Sequence, residues 1–190
     1  MKVYFTASAR GKASFEENYR KIYDSIEELG HENADNLVFK VDEDSFYSGN
    51  HKDQVGLFKK AMKYISSADV VVLEVSVHSF SMGYVLHKAI DANKPVVAMY
   101  LPNHEPHFAL GIDNDRLQVV EYKPGNVKKA LERSFEFAQE QMDTRFNFFI
   151  SPKISHYLDW ISKKKRVPRA VYLRRLIEQA MKREQGYEDD

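Results

Sequence analysis

Eight residues near the middle of the chain, D-V-V-V-L-E-V-S at 69–76, constrain the fold more than any other stretch. After Asp69, the only charged residue in this run is Glu74, and no alternation of apolar and polar positions marks a solvated face. A strand that is apolar on both faces belongs in the interior of a parallel sheet that helices cover on both sides. The run therefore predicts an α/β fold in which this segment is a central strand.

Further short apolar runs alternate with stretches of helical periodicity as far as residue 142. We predict the other strands at 2–7, 36–41, 95–101 and 117–122, with helices between them. This order predicts a first domain at 1–142 with a flavodoxin/Rossmann-like, doubly wound parallel sheet. Sheets of this kind bind ligands beyond the carboxyl ends of their strands, where the strand order reverses. A ligand crevice is therefore expected at that edge.

The composition excludes several classes of protein. The chain has 190 residues, of which 28 are basic, 28 are acidic and none is cysteine. The lack of cysteine rules out disulfides, thiolate catalysis and thiolate metal ligands, and it fits a reducing compartment. The chain has no run of about 18 apolar residues, the length that is needed to cross a bilayer. Its N-terminal apolar stretch is too short for a signal peptide. We therefore expect a cytoplasmic protein with no membrane partner.

The pattern changes after residue 142. Residues 144–184 include eleven basic and three acidic residues, a net charge of +8, although the whole chain is neutral. A single alternating strand at 145–151 is followed by two amphipathic helices, which are too few elements to close a core alone. We therefore predict a separate module at 143–186 and a polar tail at 187–190. The module is expected to pair with a second copy, giving a homo-oligomer, or with the first domain.

Two stretches carry a resemblance to a known family. They are V-Y-F-T-A-S-A-R-G at 3–11 and A-D-V-V-V-L-E-V-S-V-H-S-F-S-M-G-Y-V-L-H-K-A at 68–89. Both resemble the nucleoside 2-deoxyribosyltransferase family, and within it the branch that hydrolyses the N-glycosidic bond of deoxynucleoside 5′-monophosphates. The resemblance covers about the first 120 residues. It implies a flavodoxin-like sheet in a dimer or larger assembly.

The resemblance also implies a set of ligand-binding residues. By position in the family motifs these are Tyr4, Ser8, Arg10, Gly11, Ser79 and Gly83. Tyr4 would lie near the sugar of a nucleoside or nucleotide, and Ser79 would bind a phosphate. Gly83 would keep the turn after the third strand.

One residue departs from the family motif at the position of the family's catalytic nucleophile. Val85 stands where the family has a nucleophilic glutamate, and valine offers neither a lone pair nor a charge to an oxocarbenium-like transition state. The main expectation is therefore a regulator whose first domain binds a nucleoside or nucleotide without catalysis, or acts only as a scaffold. The alternative is an N-glycosidase or deoxyribosyltransferase that acts on (deoxy)nucleosides or their 5′-monophosphates.

Residual catalysis would need other groups. The resemblance leaves Asp69, at the start of the third strand, and Tyr4 as candidate catalytic residues. Glu74 lies about 17 Å from Asp69 if that strand is extended, so these two carboxylates cannot form a close pair. His78 and His87 could act as an acid or base, but a histidine in such a turn is more often a polar surface residue.

The C-terminal module resembles the ribbon-helix-helix repressors in its pattern of elements. In that fold two chains pair their single strands into an antiparallel ribbon that enters the major groove of duplex DNA. The open alternative is a module that only dimerises or docks a partner, with its basic residues on a solvated face. The DNA contacts that the resemblance implies are Arg145, Asn147, Phe149, Lys164, Arg166 and Arg169.

The remaining motifs favour no metal and no cofactor. His104 and His107 have the spacing of a metal pair, but the sequence places no third ligand near them, so a polar loop is the better interpretation. The chain has neither a Walker loop nor a G-x-G-x-x-G motif.

Overall fold

The computed structural model describes residues 1–41, 46, 49–141, 149–165, 167–181 and 183–184. The chain divides into two compact units, residues 1–143 and residues 144–190. No helix within the described ranges has both the length and the apolar character needed to span a membrane.

The first unit is built around a five-stranded parallel sheet. Its strands are β1 (Lys2–Ala7), β2 (Glu32–Asn33), β3 (Val70–Glu74), β4 (Val96–Tyr100) and β5 (Leu117–Glu121). They lie in the order β2-β1-β3-β4-β5, and every neighbouring pair is parallel. All five residues of β3 are buried, as its apolar run indicates. This arrangement confirms the predicted doubly wound α/β fold.

Helices cover both faces of the sheet. They are α1 (Lys12–Glu28), α2 (Leu37–Lys40), α3 (His51–Ser67), α4 (Phe80–Asp91), α5 (His107–Leu110) and α6 (Val127–Glu140). Residues of α1 and α6 pack with Val70 and Val72 on one face. Residues of α3 and α4 pack with Val71 and Leu73 on the other. The alternating side chains of β3 thus contribute to two separate cores.

The predicted second strand at 36–41 is wrong. The chain pairs with β1 only at Glu32 and Asn33, and residues 37–40 form the short helix α2. Asp35 causes the change of direction, because its Oδ1 accepts a hydrogen bond from the Leu37 amide at 2.8 Å. The Lys12 ammonium then donates to the Phe39 carbonyl oxygen at 2.6 Å and holds the helix in place. A local hydrogen bond to Asp35 and a long-range one from Lys12 therefore override the apolar pattern of this stretch.

The strand order reverses between β1 and β3. From β1 the chain passes through α1 to β2 on one side, and it then crosses to β3 on the other side. Ala7 pairs with Glu74 at the carboxyl ends of these two strands, so the loops that follow them diverge from one point. A ligand crevice is expected at this point in a sheet of this class.

The second unit contains α7 (Pro152–Lys165) and α8 (Arg169–Met181) within its described ranges. The Tyr157 and Tyr172 hydroxyl oxygens lie 3.0 Å apart, and Arg169 forms an ion pair with Asp159, so the two helices contact each other. Most of the strand predicted at 145–151 lies outside the described residues. Several apolar side chains of this unit are exposed, namely Phe149, Ile154, Trp160, Val171, Leu176 and Ile177.

Candidate active site

A pocket of about 530 Å³ lies beyond the carboxyl ends of β1 and β3. Its volume falls within the range of small-molecule sites, roughly 300–1,000 Å³. The walls are mainly hydrocarbon and aromatic, and the polar lining consists of hydroxyls and one amide among the described residues. These polar lining residues are Tyr4, Thr6, Ser8, Gln54, Ser79, Ser81 and Tyr84.

Tyr4 of β1 contributes a buried hydroxyl to this pocket. Its ring stacks on the ring of Tyr64, with 5.6 Å between the centroids, and this contact fixes the orientation of the phenol. Burial raises the pKa of Tyr4, and the neighbouring carboxylate of Asp35 raises it further. The phenol therefore keeps its proton at neutral pH.

Asp35, which the sequence analysis missed, is a carboxylate that acts electrostatically on Tyr4 but is not among the residues that line the pocket. Its Oδ1 is bonded to the Leu37 amide, whereas its Oδ2 is buried and has no hydrogen-bond partner among the described residues. Burial raises the pKa of this carboxyl, although the Leu37 amide and nearby lysines oppose the change. The usable signal was the position of Asp35 two residues after the end of β2. That signal was lost when the strand was placed at 36–41.

Two serines predicted to bind ligand line the pocket. Ser8 follows β1, and its Oγ is buried without a partner among the described residues. Ser79 caps α4, where its Oγ accepts a hydrogen bond from the Met82 amide at 3.2 Å. The hydroxyl protons of both serines can still be donated to a ligand.

Three other predicted ligand residues lie outside the lining. Arg10 is exposed, and a side chain added at Gly83 would meet open space. Gly11 is required for packing, since a Cβ there would come within 2.0 Å of the Tyr19 Oη atom. The sequence motif at 8–11 is therefore partly structural.

The carboxylates named from sequence do not line the pocket. Asp69 accepts a hydrogen bond from the Lys2 amide at 2.6 Å, at the amino end of the sheet. Glu74 is fully buried on the face of β3 that points away from the pocket. Val85, by contrast, does line the pocket and is almost fully buried, so the departure from the family pattern lies inside the site.

The histidine pair in the loop after β4 has a packing contact. The ring of His104 packs edge-on against Phe15, with 5.4 Å between the centroids. Among the described residues, no group of three or more potential ligands could hold a metal ion.

The predicted DNA-binding residues are only partly visible. Arg145, Asn147 and Arg166 lie outside the described residues. Lys164 places its ammonium 4.6 Å from the centre of the Trp160 ring, and Phe149 is fully exposed. The DNA contacts of this module therefore stay a prediction.

No family model matches the chain, but curated proteins do. The 5-hydroxymethyl-dUMP N-hydrolase of Rattus norvegicus is 28% identical over 138 residues, which cover 70% of this chain and 84% of the relative. The putative 2′-deoxynucleoside 5′-phosphate N-hydrolase 1 of Syntrophotalea carbinolica is 27% identical over 126 residues, 64% of this chain and 84% of the relative. The chain is thus similar in sequence to proteins named as deoxynucleoside 5′-monophosphate N-hydrolases.

A solved structure is also similar. The CMP N-glycosidase BcmB of Clostridium botulinum matches 70% of this chain and 99% of its own, with a TM-score of 0.46 and 15% identity. A likeness of that size carries no functional weight, so the relationship to the N-hydrolases rests on the sequence relatives.

These relatives correct the main functional expectation. The expectation of a regulator with a non-catalytic first domain rests on Val85, but the similar proteins are N-hydrolases and the similarity covers 64–70% of this chain. The expectation is therefore wrong, and the enzymatic alternative is favoured. Val85 is one of many residues that line the pocket, and its side chain alone does not decide whether the pocket is catalytic.

Proposed function

We propose that the first unit hydrolyses the N-glycosidic bond of a (deoxy)nucleoside or its 5′-monophosphate in the pocket described above. The observation that carries this proposal is the similarity to N-hydrolases over 70% of the chain. It is supported by the position of the pocket at the reversal of strand order, where this class of sheet binds ligands.

The reaction needs no covalent nucleophile in this proposal. The C–N bond breaks and the departing base takes its electron pair, while the oxygen of a water molecule bonds to the anomeric carbon. One proton of that water ends on the base, and the sugar keeps the hydroxyl. Water attacks directly because Val85 cannot form the glycosyl-enzyme that a carboxylate at this position would give.

The site offers electrostatic help to this reaction. Positive charge develops on the sugar as the bond breaks, and the Asp35 carboxylate lies close enough to Tyr4 to affect its pKa. The Tyr4 hydroxyl donates a hydrogen bond to the substrate. The rings of Phe58 and Tyr84, whose centroids are 5.8 Å apart, form part of an apolar wall for the base.

Chromatography of free base tests the proposal. Wild-type protein is incubated with a panel of deoxynucleosides and their 5′-monophosphates, beside Tyr4→Phe and the matched control Tyr64→Phe. We expect Tyr4→Phe to lower kcat/KM by about 10-fold or more, because Tyr4 lines the pocket and Tyr64 does not. Tyr64→Phe keeps the stacked ring and should stay close to wild type. Equal loss in both variants would contradict the proposed role of the pocket.

We infer that the second unit pairs with a second copy of itself. The support is its row of exposed apolar side chains, together with a lone predicted strand that has no partner in its own module. Light scattering of wild type and Ile177→Glu tests this, with Ile112→Glu on the first unit as the matched control. We expect a dimer for wild type and for Ile112→Glu, and a monomer for Ile177→Glu. A monomeric wild type would overturn the inference.

We further propose duplex DNA as a ligand of the paired second units, on the basis of the net charge of +8 at 144–184. A gel-shift assay at two salt concentrations tests this. Phosphate contacts predict binding that weakens as salt rises. An absence of binding at low salt would contradict the proposal.

A further inference from the structure

A buried carboxyl joins the ends of three strands on the face of the sheet opposite the pocket. Glu74 is the last residue of β3, and its Oε1 accepts hydrogen bonds from the hydroxyl of Ser76 and, at 3.2 Å, from that of Tyr122. Ser76 Oγ in turn accepts a hydrogen bond from the Leu101 amide at 2.8 Å. These contacts connect the residues that follow β3, β4 and β5.

The second oxygen of this carboxyl, Oε2, is buried and accepts no hydrogen bond from the described residues. Two hydroxyls from neighbouring elements interact electrostatically with the Glu74 carboxyl, those of Tyr19 in α1 and Tyr122 after β5. Asn18 of α1 bonds to Tyr122 as well, so the described groups around Glu74 are hydroxyls and amides. An ionised carboxylate in such surroundings would strongly attract a further donor.

Tyr19 connects this carboxyl to the pocket. We call residues 8–11 the first loop. Its Ser8 lines the pocket, and the Tyr19 hydroxyl donates to the Ser8 carbonyl oxygen over a long 3.3 Å. The hydroxyl is confined here, because a Cβ at Gly11 would lie only 2.0 Å from it. Ser8 also directly follows Ala7, which pairs with Glu74 across the sheet.

We propose that Glu74 is a positioning residue for the pocket. When its carboxyl ionises, Oε2 draws the Tyr19 hydroxyl away from the Ser8 carbonyl, and the first loop is released. The proton lost by Glu74 goes to solvent, and Tyr19 keeps its own proton. The effect on substrate rests on the proposed function, whereas the release of the loop does not.

The Glu74 carboxyl ionises near neutral pH. Burial raises the pKa of Glu74 from 4.5 to about 7, against the opposing hydrogen bonds from Ser76 and Tyr122. The loop is therefore held at mildly acidic pH and released as the pH rises above neutrality.

Hydrogen exchange of the peptide that spans the first loop tests this without any substrate. Rates are measured from pH 5.5 to 8.5 and corrected for the intrinsic pH dependence of amide exchange. In wild type we expect protection of the loop to fall by about 10-fold between pH 6 and pH 8. Glu74→Gln should keep its protection throughout, because glutamine accepts the same bonds and cannot ionise. The matched control Glu121→Gln, at an exposed position, should follow wild type.

Tyr19→Phe separates positioning from a purely structural role. It removes only the linking hydroxyl, so we expect low loop protection at every pH and no pH step. A pH step that survives in Tyr19→Phe, or in Glu74→Gln, would overturn the inference. If the exchange step is present but no substrate releases base, then the proposed function fails and the positioning role of Glu74 stands.

Discussion

Val85 is the lining residue at which the chain departs from the motif of the family that it resembles. It lines the pocket and is almost fully buried, so a carboxylate at this position would face the substrate in a partly desolvated setting. We expect Val85→Glu to raise kcat for base release above wild type and to cost about 1–3 kcal/mol of stability. Full activity of the family type is not expected, because the resemblance implies glycines where this chain has Ser81 and His87.

The neutral isostere Val85→Gln is the matched control for this prediction. It brings similar bulk and polarity without a nucleophilic charge, so it should lose stability and gain no rate. An equal rise of kcat in both variants, measured by base release, would show that the carboxylate is not the cause.

Asp35→Asn tests the electrostatic role of the carboxylate beside Tyr4. We expect kcat to fall by about 10-fold, since the variant no longer stabilises positive charge on the sugar. The free energy of unfolding at pH 7 should rise, because burial raises the pKa of Asp35 and the ionised form is disfavoured in the folded state. Urea denaturation and steady-state kinetics measure the two effects.

Asp69→Asn is the control for that substitution. Asp69 accepts the Lys2 amide away from the pocket, so its replacement should lower stability and leave kcat unchanged. The account of Asp35 fails if Asp35→Asn is fully active.

At the scale of elements, the carboxyl ends of β3, β4 and β5 depend on the protonation of Glu74. Its folded pKa of about 7 lies above the ordinary value of 4.5, so the folded state keeps a proton that the unfolded chain loses between these values. The free energy of unfolding should therefore decline by roughly 3 kcal/mol as the pH rises from 4.5 to 7, and change little from this source above 7. Urea denaturation at several pH values measures the decline.

Glu74→Gln should remove this part of the pH dependence. The variant should be more stable than wild type at pH 8 and similar to it near pH 4.5, because both then carry a neutral group. Parallel stability curves for the two proteins would contradict the assignment of the pH dependence to Glu74.

Most elements of the first unit could be predicted from the sequence. The run at 69–76 identified the central strand because burial on both faces leaves a continuous apolar pattern. The strand placed at 36–41 could not be predicted correctly. Its conversion to α2 depends on Lys12, whose ammonium reaches the Phe39 carbonyl 27 residues away. Long-range contacts of that kind leave no local periodicity.

The residues of the candidate site could be predicted where a family motif lies in a strand or in the loop that follows it. Tyr4, Ser8 and Ser79 follow from the motifs, and all three line the pocket. Asp35 did not follow from them, because its position depends on where β2 ends. A motif match also cannot separate Gly11, which makes room for Tyr19, from a residue that contacts ligand.

At the scale of the whole molecule, the charge pattern of the sequence predicts two modules, and their partners stay a prediction. The sign of the net charge changes after residue 143, where the chain divides into its two compact units. The strand on which DNA recognition would depend falls largely outside the described residues, so the proposed partners of the second unit rest on charge and exposed apolar side chains alone.

Base release by a variant with a blocked pocket tests the central claim most directly. Ala61 lines the pocket, and Ala61→Trp should fill much of its volume. Ser67→Trp, at the exposed end of α3, is the matched control. The account predicts free base from wild type and Ser67→Trp with at least one nucleoside or nucleoside 5′-monophosphate, and none from Ala61→Trp. No base from wild type with any of these substrates, or equal release by Ala61→Trp, would contradict it.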